Sequence, residues 1–309
     1  MPELPEVETV VRGLRGLLPG RTILDVRLGK SNFVDDPAAL AEGLPGARVL
    51  EVKRLGKFIC IVTERGEALP ERGSHSSSQL NFIVHLGMTG QLTVRLAGDA
   101  VKPHTHCFFA LDDGRELRYT DIRRFGRMLL VPESGMPEFL GQMGKEPLEI
   151  GSEEFCREFG SRRARIKALL LDQSVLRGVG NIYADESLYR ARIHPAQIAD
   201  KLGKKQLLSL HRAIREILNA AILLRGSSIS DYVDVEGKRG KFQQRHRVYR
   251  RTGKPCGRCR EIIRRVLVAG RSSHFCPRCQ PVPRVRKKQG KAMNRAAGKR
   301  MRKTFQPVE

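Results

Sequence analysis

The chain has 309 residues, a formal net charge of +24 and 40% hydrophobic residues. The chain is long enough for two domains, each with its own hydrophobic core, so the large positive charge indicates a folded protein that binds a polyanion. Nucleic acid is the leading candidate. The apolar runs at Phe58 to Val62 and Leu169 to Leu171 are too short to span a membrane, and nothing resembles a signal peptide, so we expect a soluble, cytoplasmic protein.

The first predicted element is a helix that follows the start MPELPE. Apolar residues recur at helical spacing from Val7 to Leu17, and proline and acidic residues fill the first turns, where both are favourable. Removal of the initiator methionine leaves the secondary amine of Pro2 beside Glu3 and Glu6. Such an amine can attack an electrophilic sugar carbon and form a cationic iminium. The alternatives are a processing preference for the proline and a surface capping role for the carboxyl groups.

A strand-rich region follows from Arg21 to Val131, and the dipeptide Asp113-Gly114 within it is a hairpin signal. The pattern predicts a β-sandwich, and Arg65 to Ser78 is predicted to form a flexible surface loop. The β-prone runs are Val49 to Val52, Phe58 to Val62, Phe82 to Val84, Leu92 to Leu96 and Phe108 to Leu111.

Helical periodicity replaces the strand pattern from Glu153 to Leu224, with a glycine-containing turn at Gly178 to Asn181. The boundary between the two halves is expected near Glu133 to Pro147, where proline and glycine accumulate. The sequence therefore predicts a β domain followed by a helical domain.

Four of the seven cysteines have the spacing C-x2-C-x16-C-x2-C, which is typical of two knuckles that hold one zinc ion. A site of four thiolates has no open coordination position, so the metal is expected to be structural, and a redox-active pair is the alternative. The apolar pattern from Glu261 to Val268 suggests a β-hairpin between the knuckles. The predicted ligands are Cys256, Cys259, Cys276 and Cys279, and the predicted buried, unliganded cysteines are Cys60, Cys107 and Cys156.

The last segment, Arg284 to Glu309, contains ten basic residues and one acidic residue. It has almost no large apolar side chains that could form a core, so the sequence predicts a disordered tail. Its charge favours contact with the same polyanion as the folded part.

A series of motifs in chain order resembles bacterial formamidopyrimidine-DNA glycosylase over about residues 2 to 280. The resemblance implies an α+β fold with a catalytic N-terminal helix and β-sandwich in residues 2–135. A helix-two-turns-helix domain in 145–250, a zinc finger in 251–283 and the basic tail in 284–309 would follow. The motifs are MPELPEVETV, GKF at Gly56 to Phe58, HLGMTG at His85 to Gly90, YTDIRRFG at Tyr119 to Gly126, LLLDQ and GVGNIYADE between Leu169 and Glu186, and GRSSHFCPRCQ at Gly270 to Gln280.

The same resemblance implies catalytic roles for five residues. Pro2 is expected to attack C1′ of an extruded nucleotide, Glu3 to act as acid and base, and Glu6 to support the site. Lys57 is expected to donate a proton in β-elimination and Arg271 in δ-elimination. The alternatives are a solvated lysine at a strand end and an ordinary phosphate-binding arginine.

The resemblance also implies two sets of DNA contacts. One set holds the backbone around the lesion, and the other fills the gap left by the extruded nucleotide. On its pattern alone, the sequence would place Met88 and Phe125 in the core instead. The backbone set is His104, Arg123, Arg163 and Asn181, and the gap-filling set is Met88, Arg123 and Phe125. Lys167 is expected near the DNA face of the helical domain, without an assigned role.

The sequence departs from the family pattern in a long segment at Arg65 to Ser78 and in its basic tail. A third departure is Ser230, which stands where a basic residue is usual, in the loop that closes over an oxidised purine in the family. We expect a monomeric, nucleoid-associated glycosylase and AP lyase that acts on double-stranded DNA with oxidised purines or abasic sites. The alternatives are an endonuclease VIII-type enzyme for oxidised pyrimidines and a non-catalytic DNA-binding protein on the same scaffold.

Overall fold

The computed structural model describes residues 1–65, 79–229 and 231–282. Most of the predicted loop (66–78), Ser230 and the predicted tail (284–309) lie outside these ranges. Over the three ranges, no helix combines the length and the apolar character needed to cross a membrane.

The N-terminal part consists of helix α1 (Leu4–Arg15), a short helix α2 (Pro37–Gly43) and two four-stranded antiparallel sheets. The first sheet has the order β1-β6-β7-β5 and the second β2-β3-β4-β8, so the predicted β-sandwich and α+β class are confirmed. The strands are β1 (Ile23–Leu28), β2 (Ala47–Leu55), β3 (Phe58–Arg65), β4 (Gln79–His85), β5 (Gln91–Leu96), β6 (Thr105–Leu111), β7 (Arg115–Thr120) and β8 (Arg127–Pro132).

The core of this part is closed by one face of α1. Val7, Val10 and Leu14 are fully buried and belong to the same cluster as Phe82 of β4 and Phe109 of β6, whose rings lie 4.9 Å apart. Full burial of each such side chain stabilises the fold by about 1.5–3 kcal/mol. The helix that carries the chain start is therefore fixed to both sheets.

Helix α3 (Met136–Gly141) packs on the second sheet, where Met136 clusters with Cys60 and Ile83. The helical part contains α4 (Ser152–Gly160), α5 (Ile166–Leu171), α6 (Asn181–Ala191) and α7 (Lys204–Leu223). Its core includes Phe155, Phe159 and Leu210, and it also includes Leu4, the first residue of α1. Since the rest of α1 packs in the sandwich core, the chain start lies at the junction of the two cores.

The last described part is a hairpin of β9 (Arg264–Val268) and β10 (Arg271–Phe275). The β-hairpin predicted between the two cysteine knuckles is confirmed, and the apolar run Glu261 to Val268 supplies its first strand. Its second strand, Arg-Ser-Ser-His-Phe, lacks an apolar alternation because Ser273 and His274 are buried by hydrogen bonds to other elements.

The three cysteines outside the predicted metal site were expected to be buried. Cys60 and Cys107 are, whereas Cys156 on α4 is only half-buried. The difference follows from its place near the surface of the helical domain, beside the exposed Glu153 and Lys204 side chains.

Candidate functional site

The start of α1 is held against the start of α6. The amide of Leu4 donates to the carbonyl of Gly178 (3.0 Å), and the carboxylate of Glu3 accepts from the amides of Ile182 (3.0 Å) and Tyr183 (3.3 Å). These amides belong to the first turn of α6, where free N–H groups and the helix dipole favour an anion. A β-carbon on Gly180 would lie 2.3 Å from Cδ of Glu3, so only glycine allows this approach.

Glu3 is 3% exposed, and its burial raises the pKa of the carboxyl group. The charge of Lys57 and the two amide hydrogen bonds act in the opposite direction. A carboxyl group with a raised pKa, held by fixed donors, is suited to take up and release a proton during a reaction.

Glu6 lies behind Glu3 and is almost fully buried. Its carboxylate accepts from the amide of Glu3 (2.8 Å), the amide of Ser227 (2.6 Å) and the hydroxyl of Tyr183. Burial, followed by the neighbouring charge of Glu3, raises the pKa of Glu6 to about 7. The capping interpretation of the two carboxyl groups holds for Glu6, which accepts from the amide of the N-cap residue Glu3, but neither group lies on the surface.

Lys57 follows Gly56, which has a positive φ of 60° in the tight turn between β2 and β3. The side chain is 8% exposed, and burial lowers the pKa of its ammonium group. The charges of Glu3 and Glu6 raise that pKa, while Arg271 lowers it. The structure therefore excludes the solvated strand-end lysine that the sequence left open.

The chain start shares this environment. Pro2 is buried, and burial lowers the pKa of the terminal amine that Met1 carries; the charges of Glu3 and Glu6 raise that pKa, and those of Lys57 and Arg250 lower it. A partly desolvated amine near a cation is less readily protonated and is a better nucleophile.

Arg271 is exposed at the first residue of β10, and the rest of that strand is anchored to the helical domain by Lys167 and Asp185. The Nζ of Lys167 donates to Asp185 Oδ1 (2.6 Å), to the carbonyl of Ser272 (2.8 Å) and to the hydroxyl of Ser273 (2.8 Å). Asp185 Oδ2 accepts from the amide of His274 (2.8 Å). The side chain of Lys167 is fully buried between the two domains, so it is not itself a surface contact for DNA, and its expected position near the DNA face stays a prediction.

Glu186, next to Asp185 on α6, forms a second anchor. Its carboxylate accepts from the amides of Arg247, Val248 and Tyr249 at 2.9–3.0 Å, in the segment that leads into the zinc finger. One helix thus binds Glu3 at its start and the zinc finger through two buried acids. Sequence reasoning missed Asp185 and Glu186, although two adjacent acids inside an apolar helix were a visible signal.

Met88 and Phe125 lie on the surface and not in the core, on two loops that meet where Gly87 packs against the backbone of Phe125. Met88 is 39% exposed and Phe125 is 56% exposed, and the guanidinium of Arg123 lies 4.5 Å from the centre of the Phe125 ring. The core interpretation from the pattern alone is therefore wrong. A thioether, a guanidinium and an aromatic ring in one exposed cluster can replace the stacking of an extruded base.

The loops that carry this cluster are held by Asp121, a fully buried carboxylate that the sequence analysis missed. It accepts from the hydroxyls of Thr89 and Tyr119 and from the amides of Arg123 (3.2 Å) and Gly126 (2.9 Å). A buried carboxylate with four donors fixes both segments that present the cluster.

The remaining expected DNA contacts are dispersed over the surface. His104 is exposed with a φ of 65°, and its carbonyl accepts from the amide of Asp121 (3.0 Å). The Arg163 side chain is 90% exposed and lies 3.6 Å from Asp200. Asn181 begins α6, and its buried Oδ1 has no hydrogen-bond partner among the described residues.

The four predicted zinc ligands converge at one point. Their sulfur atoms all lie within 4.8 Å of one another, with separations of 3.4 Å for Cys259 to Cys276 and 3.9 Å for Cys256 to Cys279. A tetrahedron with Zn–S bonds of about 2.3 Å requires sulfur separations of about 3.8 Å. The donor set therefore fits one structural zinc ion, as the spacing predicted.

Comparisons with known proteins agree over the whole described chain. The family models that match are the formamidopyrimidine-DNA glycosylase N-terminal domain (residues 1–128), the formamidopyrimidine-DNA glycosylase H2TH domain (143–233) and the zinc finger found in FPG and IleRS (253–282).

Among curated proteins, the formamidopyrimidine-DNA glycosylase of Solibacter usitatus is 46% identical over 91% of this chain and 99% of its own length. Two similar solved structures are Lactococcus lactis Fpg bound to DNA with an abasic site and MutM bound to DNA with carbocyclic 8-oxo-G. Each has a TM-score of 0.80 and 33% identity, and covers 91% of this chain and 100% of its own.

Proposed function

The chain belongs to the formamidopyrimidine-DNA glycosylase family, and on this premise we propose how its buried amine-and-carboxyl site repairs oxidised DNA. It is a DNA glycosylase of base excision repair with one structural zinc ion. The observation that supports the site most directly is the placement of Glu3, buried on the amides of α6 next to the chain start and within the field of Lys57.

In the first step, the Pro2 nitrogen bonds to C1′ of the extruded nucleotide while the C1′–base bond breaks, and the base leaves with the proton that the Pro2 nitrogen loses. Glu3 protonates the ring oxygen as the sugar opens, which gives a cationic iminium between the enzyme and C1′. Glu6 keeps Glu3 and the start of α1 in place through its bond to the Glu3 amide.

The iminium then acts as an electron sink. Loss of a C2′ proton expels the 3′ phosphate in β-elimination, and a second proton loss expels the 5′ phosphate in δ-elimination. We propose that Lys57 serves the first elimination and Arg271 the second, as proton donors beside the departing groups. Hydrolysis of the iminium releases the sugar fragment and leaves a one-nucleotide gap.

The preferred substrates are proposed to be oxidised purines, namely 8-oxoguanine and formamidopyrimidines. Borohydride trapping on matched duplexes that contain either 8-oxoguanine or an oxidised pyrimidine tests both the covalent chemistry and the lesion class. We expect a covalent adduct that forms faster on the purine lesion. Faster trapping on the pyrimidine lesion would assign the chain to the endonuclease VIII type, and DNA binding without any adduct would leave only a binding protein.

Met88, Arg123 and Phe125 are proposed to fill the gap in the duplex, while His104, Arg163 and Asn181 hold the backbone. Met88→Ala and Phe125→Ala are then expected to reduce excision of a paired lesion more than cleavage of a preformed abasic site, where extrusion is easier. Single-turnover rates on the two substrates measure the difference.

Thermal melting is the control for these two variants. Because both side chains are largely exposed, truncation is expected to change the free energy of unfolding by only about 0.5 kcal/mol. A core role predicts a loss of several kcal/mol together with equal damage on both substrates, and that result would refute the gap-filling role.

The domain division is proposed as 2–135, 145–250 and 251–283, followed by the tail 284–309. The enzyme is proposed to be monomeric, cytoplasmic and nucleoid-associated.

The tail 284–309 is proposed to be a DNA tether. Each neutralised phosphate adds about 0.9 to the slope of log affinity against log salt, so three to five engaged tail charges contribute roughly 3 to 4. Removal of residues 284–309 is expected to flatten that slope and leave single-turnover excision at saturating enzyme unchanged. An unchanged slope would indicate a solubilising extension instead.

A further inference from the structure

A chain of buried polar groups runs from Glu6 to a histidine that the catalytic mechanism does not use. The Tyr183 hydroxyl donates to Glu6 Oε1 and lies 3.4 Å from the Ser227 hydroxyl, which lies 3.1 Å from Nε2 of His246. All four residues are at most 8% exposed. Buried hydroxyls linked in this way hold one another in fixed orientations, because a lost partner leaves a costly unsatisfied group.

The middle of this chain is the root of the loop that follows α7. The Ser227 amide lies 2.6 Å from Glu6 Oε1, and the other oxygen of Glu6 lies 2.8 Å from the Glu3 amide. Gly226 enters the loop with a φ of 75°, and a β-carbon there would lie 2.7 Å from Glu6 Oε1. Ser227 is therefore separated from the acid that acts on the sugar by a single carboxylate.

The following residues close the loop on itself and onto α1. The Ser228 hydroxyl donates to the carbonyl of Tyr232 (2.7 Å) and accepts from the amide of Gly240 (2.8 Å). The Tyr232 hydroxyl donates to the carbonyl of Glu6 (3.2 Å). The described ends of the segment 227–240 are thus fixed at one point, and Ser227 decides how that point sits against the catalytic helix.

His246 is well suited to hold the Ser227 hydroxyl. Its ring lies edge-on between the rings of Phe242 (5.7 Å) and Tyr249 (5.6 Å), which set its orientation. Burial, helped by the charge of Arg250, lowers the pKa of His246 to about 4, so the ring is neutral at physiological pH. A neutral ring can donate one hydrogen bond to Ser227, which leaves the hydroxyl proton directed toward Tyr183 and Glu6.

We propose that His246 is a positioning residue for the catalytic carboxyl pair, acting through the hydroxyls of Ser227 and Tyr183 to hold Glu6, which in turn holds Glu3 and the start of α1. This inference rests on the proposed function, because it concerns the groups that serve the attack of Pro2 on C1′. That attack begins the reaction on a damaged nucleotide and on a preformed abasic site alike.

The test compares His246→Leu with His246→Gln. The leucine removes the hydrogen bond, whereas the glutamine amide reaches the position of the imidazole Nε2 and can donate to Ser227. We expect the leucine variant to excise 8-oxoguanine about threefold to tenfold more slowly at saturating enzyme, as the loss of one hydrogen bond predicts. Cleavage of a preformed abasic site should slow by a similar factor, because it uses the same Pro2, Glu3 and Glu6, and the glutamine variant should recover most of both rates.

His211→Leu is the matched control, because His211 is an equally buried histidine that bonds the carbonyl of Ile150 (2.9 Å) in the helical core. It should lower the melting temperature to a similar extent and leave both rates at the wild-type value. A Ser227→Ala background adds a second check, since His246→Leu should cause no further loss of excision in it.

Wild-type rates in the leucine variant, a glutamine variant as slow as the leucine variant, or the same slowing in His211→Leu would each overturn the positioning role. A wild-type enzyme that excises neither purine nor pyrimidine lesions would instead refute the proposed function itself. The two failures are therefore distinguishable in one set of reactions.

Discussion

Glu3→Gln is expected to lower base excision from an 8-oxoguanine duplex by about 10²–10⁴-fold, the usual contribution of a positioned acid or base. The amide keeps the volume of the carboxyl group and can still accept from the first turn of α6, but it cannot exchange a proton with the sugar. DNA binding should therefore remain close to that of the wild type. Single-turnover excision rates and a separate binding titration measure the two properties.

Glu8→Gln is the control on the same helix. The Glu8 carboxylate pairs with Arg54 (2.9 Å) and Arg12 (2.8 Å), away from the chain start, so its loss should reduce stability without removing the chemistry. Excision by Glu3→Gln at the wild-type rate would refute the assigned role. A rate as low in Glu8→Gln would show that the loss arises from damage to α1 and not from the missing acid.

Cys276→Ser is expected to release the zinc ion and unfold the hairpin that carries Arg271. Four thiolates and a metal replace an apolar core in this small unit, and metal binding supplies much of its folding free energy. Loss of the contacts made by the finger should weaken DNA binding roughly 10- to 100-fold. This range corresponds to the loss of one charge-assisted hydrogen bond, which contributes about 1.5–3 kcal/mol. Metal analysis and a binding titration check both effects.

The products of the same variant report on Arg271. If Arg271 serves δ-elimination, its displacement should cause the β-elimination product to accumulate. Cys156→Ser, which changes a half-buried cysteine outside the metal site, should retain zinc and give wild-type products. Full zinc occupancy in Cys276→Ser, or an unchanged product ratio after loss of the metal, would contradict this account.

The sequence was sufficient to predict the features that depend on local spacing. The apolar face of α1, the strand-rich half, the hairpin signal at Asp113-Gly114 and the four zinc ligands all follow from patterns within a short window. Motifs in series then indicated the family. The structure agrees on each of these points.

The parts that the sequence did not reveal are pairings between distant residues. Lys167 reaches Ser272 and Ser273 across more than one hundred positions, and Glu6 meets Ser227 across 221. A buried lysine with three fixed acceptors looks like a surface lysine in the sequence, because only the fold brings its partners together.

The sequence also did not reveal which apolar side chains lie on the surface. Met88 and Phe125 follow patterns typical of core residues, and their position on the surface depends on the loops that Asp121 fixes. The role of His246 was hidden for a related reason. Its hydrogen-bond partner, Ser227, lies outside every motif near His246 in the sequence, and only the fold brings the two side chains together.

The central claim is that the amine of Pro2 is the nucleophile, and the site of attachment in the borohydride-reduced adduct tests it most directly. The adduct formed on 8-oxoguanine DNA is digested with protease and nuclease, and the modified peptide is sequenced by mass spectrometry. We predict a peptide without Met1 that carries the sugar remnant on the nitrogen of Pro2, and no such adduct from Pro2→Gly in comparable yield. A remnant on the Nζ of Lys57 or of another lysine, with trapping retained by Pro2→Gly, would contradict the account.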